Sequence, residues 1–279
     1  ESLNRIYINH DIYDTPMINV EKEKNLINAL NKCNYIFLSS EIAISSLQKK
    51  LDEYNEHNTQ SKNPLLINTG YLKLDHVYEK LKNDKVEENS ILLAPTLSSM
   101  LIEYNLDEVL DSIINEILHN THFKIIYRPH PVDRVNIKKN FFINNIYEKY
   151  KDNNNFSLDS NISYLDSYSK SRILITDFSG TAYTYAFSKL RPVIFFSKNE
   201  NEFLKSNFSD LFFFKDRNEV GKIVQNIDNL NEEIYSINKQ VKFYSNKISL
   251  LRSERIKFFK SSIEQNLLNL KEILNVENK

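Results

Sequence analysis

Residues 173–196 read ILITDFSGTAYTYAFSKLRPVIFF. An apolar run leads into a turn of small and polar residues, then an amphipathic stretch, then a second apolar run. The pattern predicts strand, tight turn, helix and strand. A helix that starts at the carboxyl end of a parallel strand offers unpaired N–H groups and the positive end of its dipole, which suits phosphate. Asp177, Ser179, Gly180 and Thr181 make up the turn. The hydroxyls of Ser179 and Thr181 add donors, and Gly180 lets a ligand approach the backbone closely. Ordinary helix capping explains the same residues without a ligand.

Two more segments place reactive side chains after apolar runs. YRPHP (127–131) puts Arg128 and His130 between Pro129 and Pro131. The prolines stiffen the backbone; the guanidinium can grip a phosphate, and the imidazole can donate a hydrogen bond or carry a proton. A rigid surface turn is the plain alternative. His10 and Asp11 follow the first apolar run in YINHDIYDTP. His10 is a candidate general base, with Asp11 or Asp14 to orient it; a solvated loop histidine fits the same spacing. His57, His76, His119 and His122 make weaker candidates.

What is missing narrows the chemistry. No H-E-x-x-H, G-x-S-x-G or D-x-D occurs, and with only three glycines (Gly70, Gly180, Gly221) neither a G-x-G-x-x-G loop nor a P-loop can be written. The single cysteine, Cys33, excludes an internal disulfide and a multi-cysteine zinc site. Lys and Arg total 36 against 37 Asp and Glu, so a globally basic nucleic-acid binder is not expected. A local exception is 239–260, where Lys239, Lys242, Lys247, Arg252, Arg255, Lys257 and Lys260 face Glu254 alone and alternate with aromatics. That stretch suits an anionic membrane or polymer, or a solvated helix face.

The positioning elements follow from the apolar runs. Residues 5–9, 35–38, 65–68, 91–94, 123–128, 156–158, 173–176 and 192–196 read as strands buried on both faces. Helical patterns fill 20–31, 41–55, 103–118, 161–169 and 181–189, so strands and helices alternate as in a doubly wound parallel sheet. The polar stretch 82–90 reads as a linker. The expected organisation is one α/β domain over 1–88, short for its type, and a second, complete α/β domain over 89–248. From 219 the pattern turns helical, and 249–275 reads as one long helix, with 249–279 packing back toward the first domain. With 279 residues, 41% of them hydrophobic, the chain can bury two such cores. No apolar run reaches membrane-spanning length and no leader is visible, so a cytoplasmic location is expected, at or near the inner face of the membrane.

Taken in order, GYLKLDHV (70–77), ILLAPTL (91–97), YRPHP and ITDFSGTAYTYAFSKLRPVIFF resemble the CDP-glycerol glycerophosphotransferase family. Those are GT-B enzymes of teichoic acid and capsule synthesis. The resemblance implies two Rossmann-type domains facing a cleft, with 1–88 on the acceptor side and 89–248 binding the donor. It puts the donor's phosphates on Arg128, His130, Ser179 and Gly180, with Asp177, Thr181 and Thr96 beside them. The family's base is a histidine in an H-G-T-P element, whose looser counterpart here is His10, with Asp11. Where the family has a second turn serine this chain has Gly180, and Thr184 stands where an acidic residue is expected.

The function this implies is transfer of a polyol phosphate from a CDP-activated donor to a surface-polymer hydroxyl, without metal or cofactor. His10 would be the base, His130 a second catalytic group, and CMP the leaving group. The same pocket would serve a GT-B glycosyltransferase using a nucleotide sugar, and a short first domain would suit a non-catalytic nucleotide-binding module. The expected partners are the nucleotide-activated donor, the polymer acceptor and a membrane surface touched through 239–260, with no nucleic acid.

Overall fold

The computed structural model describes residues 4–13, 20–56, 63–87, 89–99, 105–205 and 207–277. They form two compact units. The first comprises Glu1–His76, Leu211–Phe213 and Leu251–Lys279; the second comprises Val77–Asp210 and Phe214–Leu250.

The first unit alternates β1 (Ile6–Ile8), α1 (Val20–Leu30), β2 (Tyr35–Leu38), α2 (Glu41–Glu56), β3 (Leu65–Asn68) and the start of α3 (Leu72–Leu81). The strands pair in parallel in the order β1-β2-β3, with Tyr7 opposite Ile36 and Phe37 opposite Ile67. Leu30, Ile36, Leu38 and Ala43 close the core between sheet and helices. The leucine and isoleucine side chains contribute roughly 1.5–3 kcal/mol each when fully buried.

The second unit holds a six-stranded, all-parallel sheet in the order β6-β5-β4-β7-β8-β9. Its strands are β4 (Ser90–Leu93), β5 (Lys124–Tyr127), β6 (Phe156–Leu158), β7 (Ile173–Thr176), β8 (Val193–Phe196) and β9 (Gly221–Val224). Every residue of β4, β7 and β8 is buried, as their largely apolar sequences require, with Ser90 and Thr176 buried through hydrogen bonds of their hydroxyls to backbone carbonyls. Its helices are α4 (Leu110–Asn120), α5 (Pro131–Val135), α6 (Ile137–Tyr150), α7 (Leu165–Lys170), α8 (Thr181–Lys189), α9 (Glu200–Phe203), α11 (Arg217–Val220) and α12 (Leu230–Lys239), while α10 (Phe212–Lys215) and α13 (Val241–Arg255) are divided between the two units. The last helix among the described residues, α14 (Ser262–Glu277), is part of the first unit.

Three expectations need correction. A strand, β9, lies beyond 219, where helix was expected; it is short and carries Gly221 and Lys222, so only pairing with β8 makes it a strand. The helix expected over 249–275 is two helices. Lys260 takes the left-handed conformation (φ 70°), and the Asp75 carboxylate accepts from the backbone N–H groups of Lys260 (2.7 Å) and Ser262 (2.9 Å) and from the Ser262 hydroxyl. Asp75 thereby caps the start of α14. The N-terminal segment of the first unit ends at His76, not near 88, and residues 81–87 bond within the second unit. Lys189 donates to Leu81 O (2.6 Å) and Glu87 N to Lys170 O (3.0 Å).

Candidate functional site

In the second unit, β4, β5 and β7 are neighbours and parallel, so the segments after them emerge on one edge of the sheet. That edge gathers Thr96, Arg128, His130, Asp177, Ser179, Gly180 and Thr181. Their geometry separates groups that are free to meet a ligand from groups already engaged.

Arg128 is engaged. Nη1 lies 2.6 Å from Asp159 Oδ2 and donates to the carbonyls of Asn161 (3.1 Å) and Ser163 (3.3 Å), while Nη2 donates to Ile162 O (3.1 Å). Both side chains of the ion pair are buried. Burial alone would raise the Asp159 carboxyl, but hydrogen bonds from Ser167, Asn161 N–H and Arg128 hold it below the usual value. The arginine expected to clamp a phosphate instead clamps the loop after β6.

His130 caps α5. Its Nδ1 accepts from Val132 N–H (3.2 Å), and Pro131 fills the first helical position, where no N–H is needed. Burial pushes its pKa below the ordinary histidine value, with Asp133 opposing. The neutral ring with Nδ1 as acceptor carries its proton on Nε2. His130 is only half-buried, so that proton can be offered to a ligand.

Asp177 is 1% exposed and turned inward. Its Oδ1 accepts from Thr96 N (2.9 Å) and Phe178 N (2.8 Å), and Oδ2 from Leu106 N (3.1 Å). Burial pushes this carboxyl up to about 6, with the backbone donors pulling it back. Asp177 and Thr96 therefore belong to the framework under the turn and not to its ligand-facing surface. Phe178 packs on Phe203 (5.2 Å) and Phe214 (5.5 Å). Those rings flank the buried Arg217, whose guanidinium meets Glu200 at 2.6 and 3.1 Å.

Ser179, Gly180 and Thr181 are partly exposed at the start of α8. Ser179 Oγ accepts from Thr181 N (3.3 Å), and Ser179 O from Ala182 N (3.0 Å). Gly180 has φ −57° and ψ −19°, ordinary helical values, so its backbone conformation does not require glycine. Thr184 is buried within α8.

In the first unit, His10 and Asp11 follow β1. The His10 side chain is exposed, with Nε2 3.9 Å from Asp11 Oδ2. Partial burial raises the Asp11 carboxyl, while His10 and Lys73 pull it down. The loop is fixed from β2: the hydroxyls of Ser39 and Ser40 donate to Ile12 O at 3.1 and 2.9 Å, and Tyr71 Oη donates to His10 O. Asp14 and His57 lie outside the described residues. His76 is exposed on α3; His119 and His122 hydrogen-bond to Asn115 O and Tyr235 Oη. Among the described residues no group of three His, Cys, Asp or Glu side chains is arranged to hold a metal ion.

Sequence reasoning passed over Asp159, Asp133 and Ser98. Asp133 accepts from Ser98 N (2.9 Å) and Ser98 Oγ (2.7 Å), tying the segment after β4 to α5. Asp159 directly follows the β6 run just as Asp177 follows β7, and that repeated strand-end position was the available signal.

The family model described as CDP-glycerol:poly(glycerophosphate) glycerophosphotransferase matches residues 7–270. The chain belongs to this family. Among solved structures, the glycerophosphotransferase-family chain is similar to the wall teichoic acid polymerase TagF, with a TM-score of 0.60 at 18% identity over 94% of this chain and 64% of TagF. A TagF variant soaked with CDPG gives 0.59 at 19%, over 94% and 62%. TarM follows at 0.52 and 16%, over 96% and 50%. A UDP-GlcNAc 2-epimerase from Methanocaldococcus jannaschii gives 0.53 and 16%, over 91% and 66%. These likenesses place the fold in the GT-B class. The chain spans somewhat less than two thirds of TagF. No curated protein matches the sequence.

Proposed function

We propose that this glycerophosphotransferase-family chain transfers glycerol phosphate from CDP-glycerol to a hydroxyl of a teichoic-acid-like polymer. The observation that carries the reading is the sheet edge where His130 and the start of α8 stand together, in a chain that matches the family model over 7–270. The TagF variant soaked with CDPG supports the choice of donor.

In the second unit, the N–H groups and dipole of α8, with the hydroxyls of Ser179 and Thr181, take the donor's phosphates at Gly180. His130 donates from Nε2 to the phosphate oxygens as negative charge builds on them. Arg128 serves this site from beneath, by fixing the loop after β6. In the first unit, His10 accepts the proton of the acceptor hydroxyl, and Asp11 steadies the resulting imidazolium. The acceptor oxygen forms a bond to the β-phosphorus, the bond from that phosphorus to the bridging oxygen breaks, and CMP leaves with the electron pair. No cofactor is needed, since CDP-glycerol is the substrate.

The test is CMP release from CDP-glycerol, with CDP-ribitol and UDP-sugars as competing donors. CDP-glycerol is expected to be turned over, and His10→Ala and His130→Ala to lower turnover by at least about a hundredfold while the protein stays folded. Preference for a UDP-sugar would replace this reading with that of a glycosyltransferase. Wild-type rates in His10→Ala would remove His10 as the base.

We further propose that 239–260 meets an anionic membrane surface. Lys242, Phe243 and Leu250 are exposed on α13, pairing charge with apolar area. Among the described residues no helix is long and apolar enough to cross a membrane. Co-sedimentation with phosphatidylglycerol vesicles, lost in Lys242→Glu combined with Phe243→Ser, is the expected result. Equal sedimentation of the variant would refute it.

A further inference from the structure

The carboxylate of Asp177 gathers three backbone N–H groups from two stretches of chain. Phe178 is its own neighbour in the turn. Thr96 and Leu106 flank the segment that follows β4, so a single side chain draws the two sides of that segment together. Within the segment, Asn105 Nδ2 donates to Ser98 O (2.9 Å), and Ser98 is held by Asp133. Two residues after Asp177 stands Ser179, at the start of α8.

We propose that Asp177 is a positioning residue, which closes the neck between Thr96 and Leu106 and thereby fixes the Ser179–Thr181 turn for the donor's phosphates. This inference rests on the donor-site reading above. The chemistry asks for a carboxylate and not an amide. Three N–H donors need acceptor lone pairs on both oxygens. Asparagine keeps the shape but turns an NH2 group toward one set of N–H donors, so at least one bond is lost and a buried donor is left unmet. A buried carboxylate held only by backbone donors is unfavourable to maintain, which makes a purely space-filling role a poor explanation.

The charged groups on neighbouring elements have their own partners. Asp133 on α5 is bound by Ser98, His130 caps α5, and Asp107 and Glu108 pair with Lys139 and Lys198. His130 is a titratable group on the same sheet edge, held below the ordinary histidine value by burial, so the pH experiment includes His130→Gln as a control.

Two measurements on the full chain with Asp177→Asn test the proposal. The first is amide hydrogen exchange at Thr96 and Leu106 without ligand. It is expected to quicken about tenfold or more, the effect of losing a hydrogen bond to a charged acceptor. The second is calorimetric titration with CDP-glycerol across pH. Wild type and His130→Gln should both lose affinity as pH falls through about 6, where the buried carboxyl takes up a proton. Asp177→Asn should bind about tenfold more weakly at neutral pH, without that inflection. Faster exchange with wild-type affinity, or unchanged exchange, would overturn the positioning role. If the wild type binds no CDP-glycerol at any pH, the donor reading fails first and this inference falls with it. Should Asp177→Asn not fold, Asp177→Glu, which keeps the charge but displaces the oxygens, takes its place in both measurements: faster exchange at Thr96 and Leu106 with weaker binding supports the role, and wild-type values in either refute it.

Discussion

Arg128 and Asp159, thirty-one residues apart in sequence, meet at 2.6 Å with both side chains buried. The pair joins the end of β5 to the end of β6. Three carbonyls of 161–163 complete the guanidinium's shell, so the edge beside His130 is built on a fixed arginine. Removing one member of a buried pair typically costs about 3–5 kcal/mol, because its partner is left charged and unmet. Arg128→Met should therefore lower stability in urea by about that amount, and adding Asp159→Leu should recover part of the loss. If Arg128→Met unfolds like the wild type yet loses donor affinity, the guanidinium is a ligand after all.

The glycines should respond in opposite ways. A Cβ at Gly221 would stand 1.6 Å from the carbonyl oxygen of Val193, the residue it pairs with between β8 and β9. Gly221→Ala is expected to displace β9 and give insoluble protein or a loss of more than about 3 kcal/mol. Gly180 already has helical dihedral angles, so Gly180→Ala should be neutral or stabilising by up to about 1 kcal/mol. Its effect on CDP-glycerol affinity then reports on ligand approach alone. Thermal unfolding of both variants is the check.

Asp75 caps α14 through the N–H and hydroxyl of Ser262, 187 residues later. Asp75→Ala should destabilise by about 1–2 kcal/mol, the usual range for a lost cap. The signature is local: amide exchange should quicken across 262–266 while β4 and β7 remain protected. Uniform acceleration across the chain would show that the cap is part of one global unfolding unit.

Asp177 also sets a pH dependence of stability. Its carboxyl is pushed up to about 6 in the fold from an ordinary value of 3.8. Between those values the folded state holds the proton more tightly, so this group's contribution is greatest at low pH and is lost as pH rises toward 6. In urea titrations at about pH 4 and about pH 7, the stability of wild type relative to Asp177→Asn should fall by about 2 kcal/mol. A difference that grows with pH would mean that the backbone donors outweigh burial.

Elements that bury both faces could be read directly. The ILIT and PVIFF runs and the TAYTYAFSK helix lie where their patterns put them, because a continuous apolar run has no other place to go. Features set by distant partners were opaque. β9 depends on β8, the break before α14 depends on Asp75, and the occupation of Arg128 depends on Asp159. Local spacing identified Arg128 as a strand-end cation but carried no sign of the acid that satisfies it. Gly70 is a similar case. Its φ of 77° and the 2.9 Å that a Cβ would leave to Phe258 and Ser262 make sense only once the end of the chain has returned.

That return sets an order of events during synthesis. The strands β4 to β9 leave the ribosome as one continuous stretch, with every pairing partner in hand before α14 has been translated. The first unit has no such independence, since Asp75 and Gly70 wait for Ser262 and Phe258. A nascent chain halted before residue 262 would thus carry a finished six-stranded sheet behind an N-terminal portion still open to chaperones and proteases.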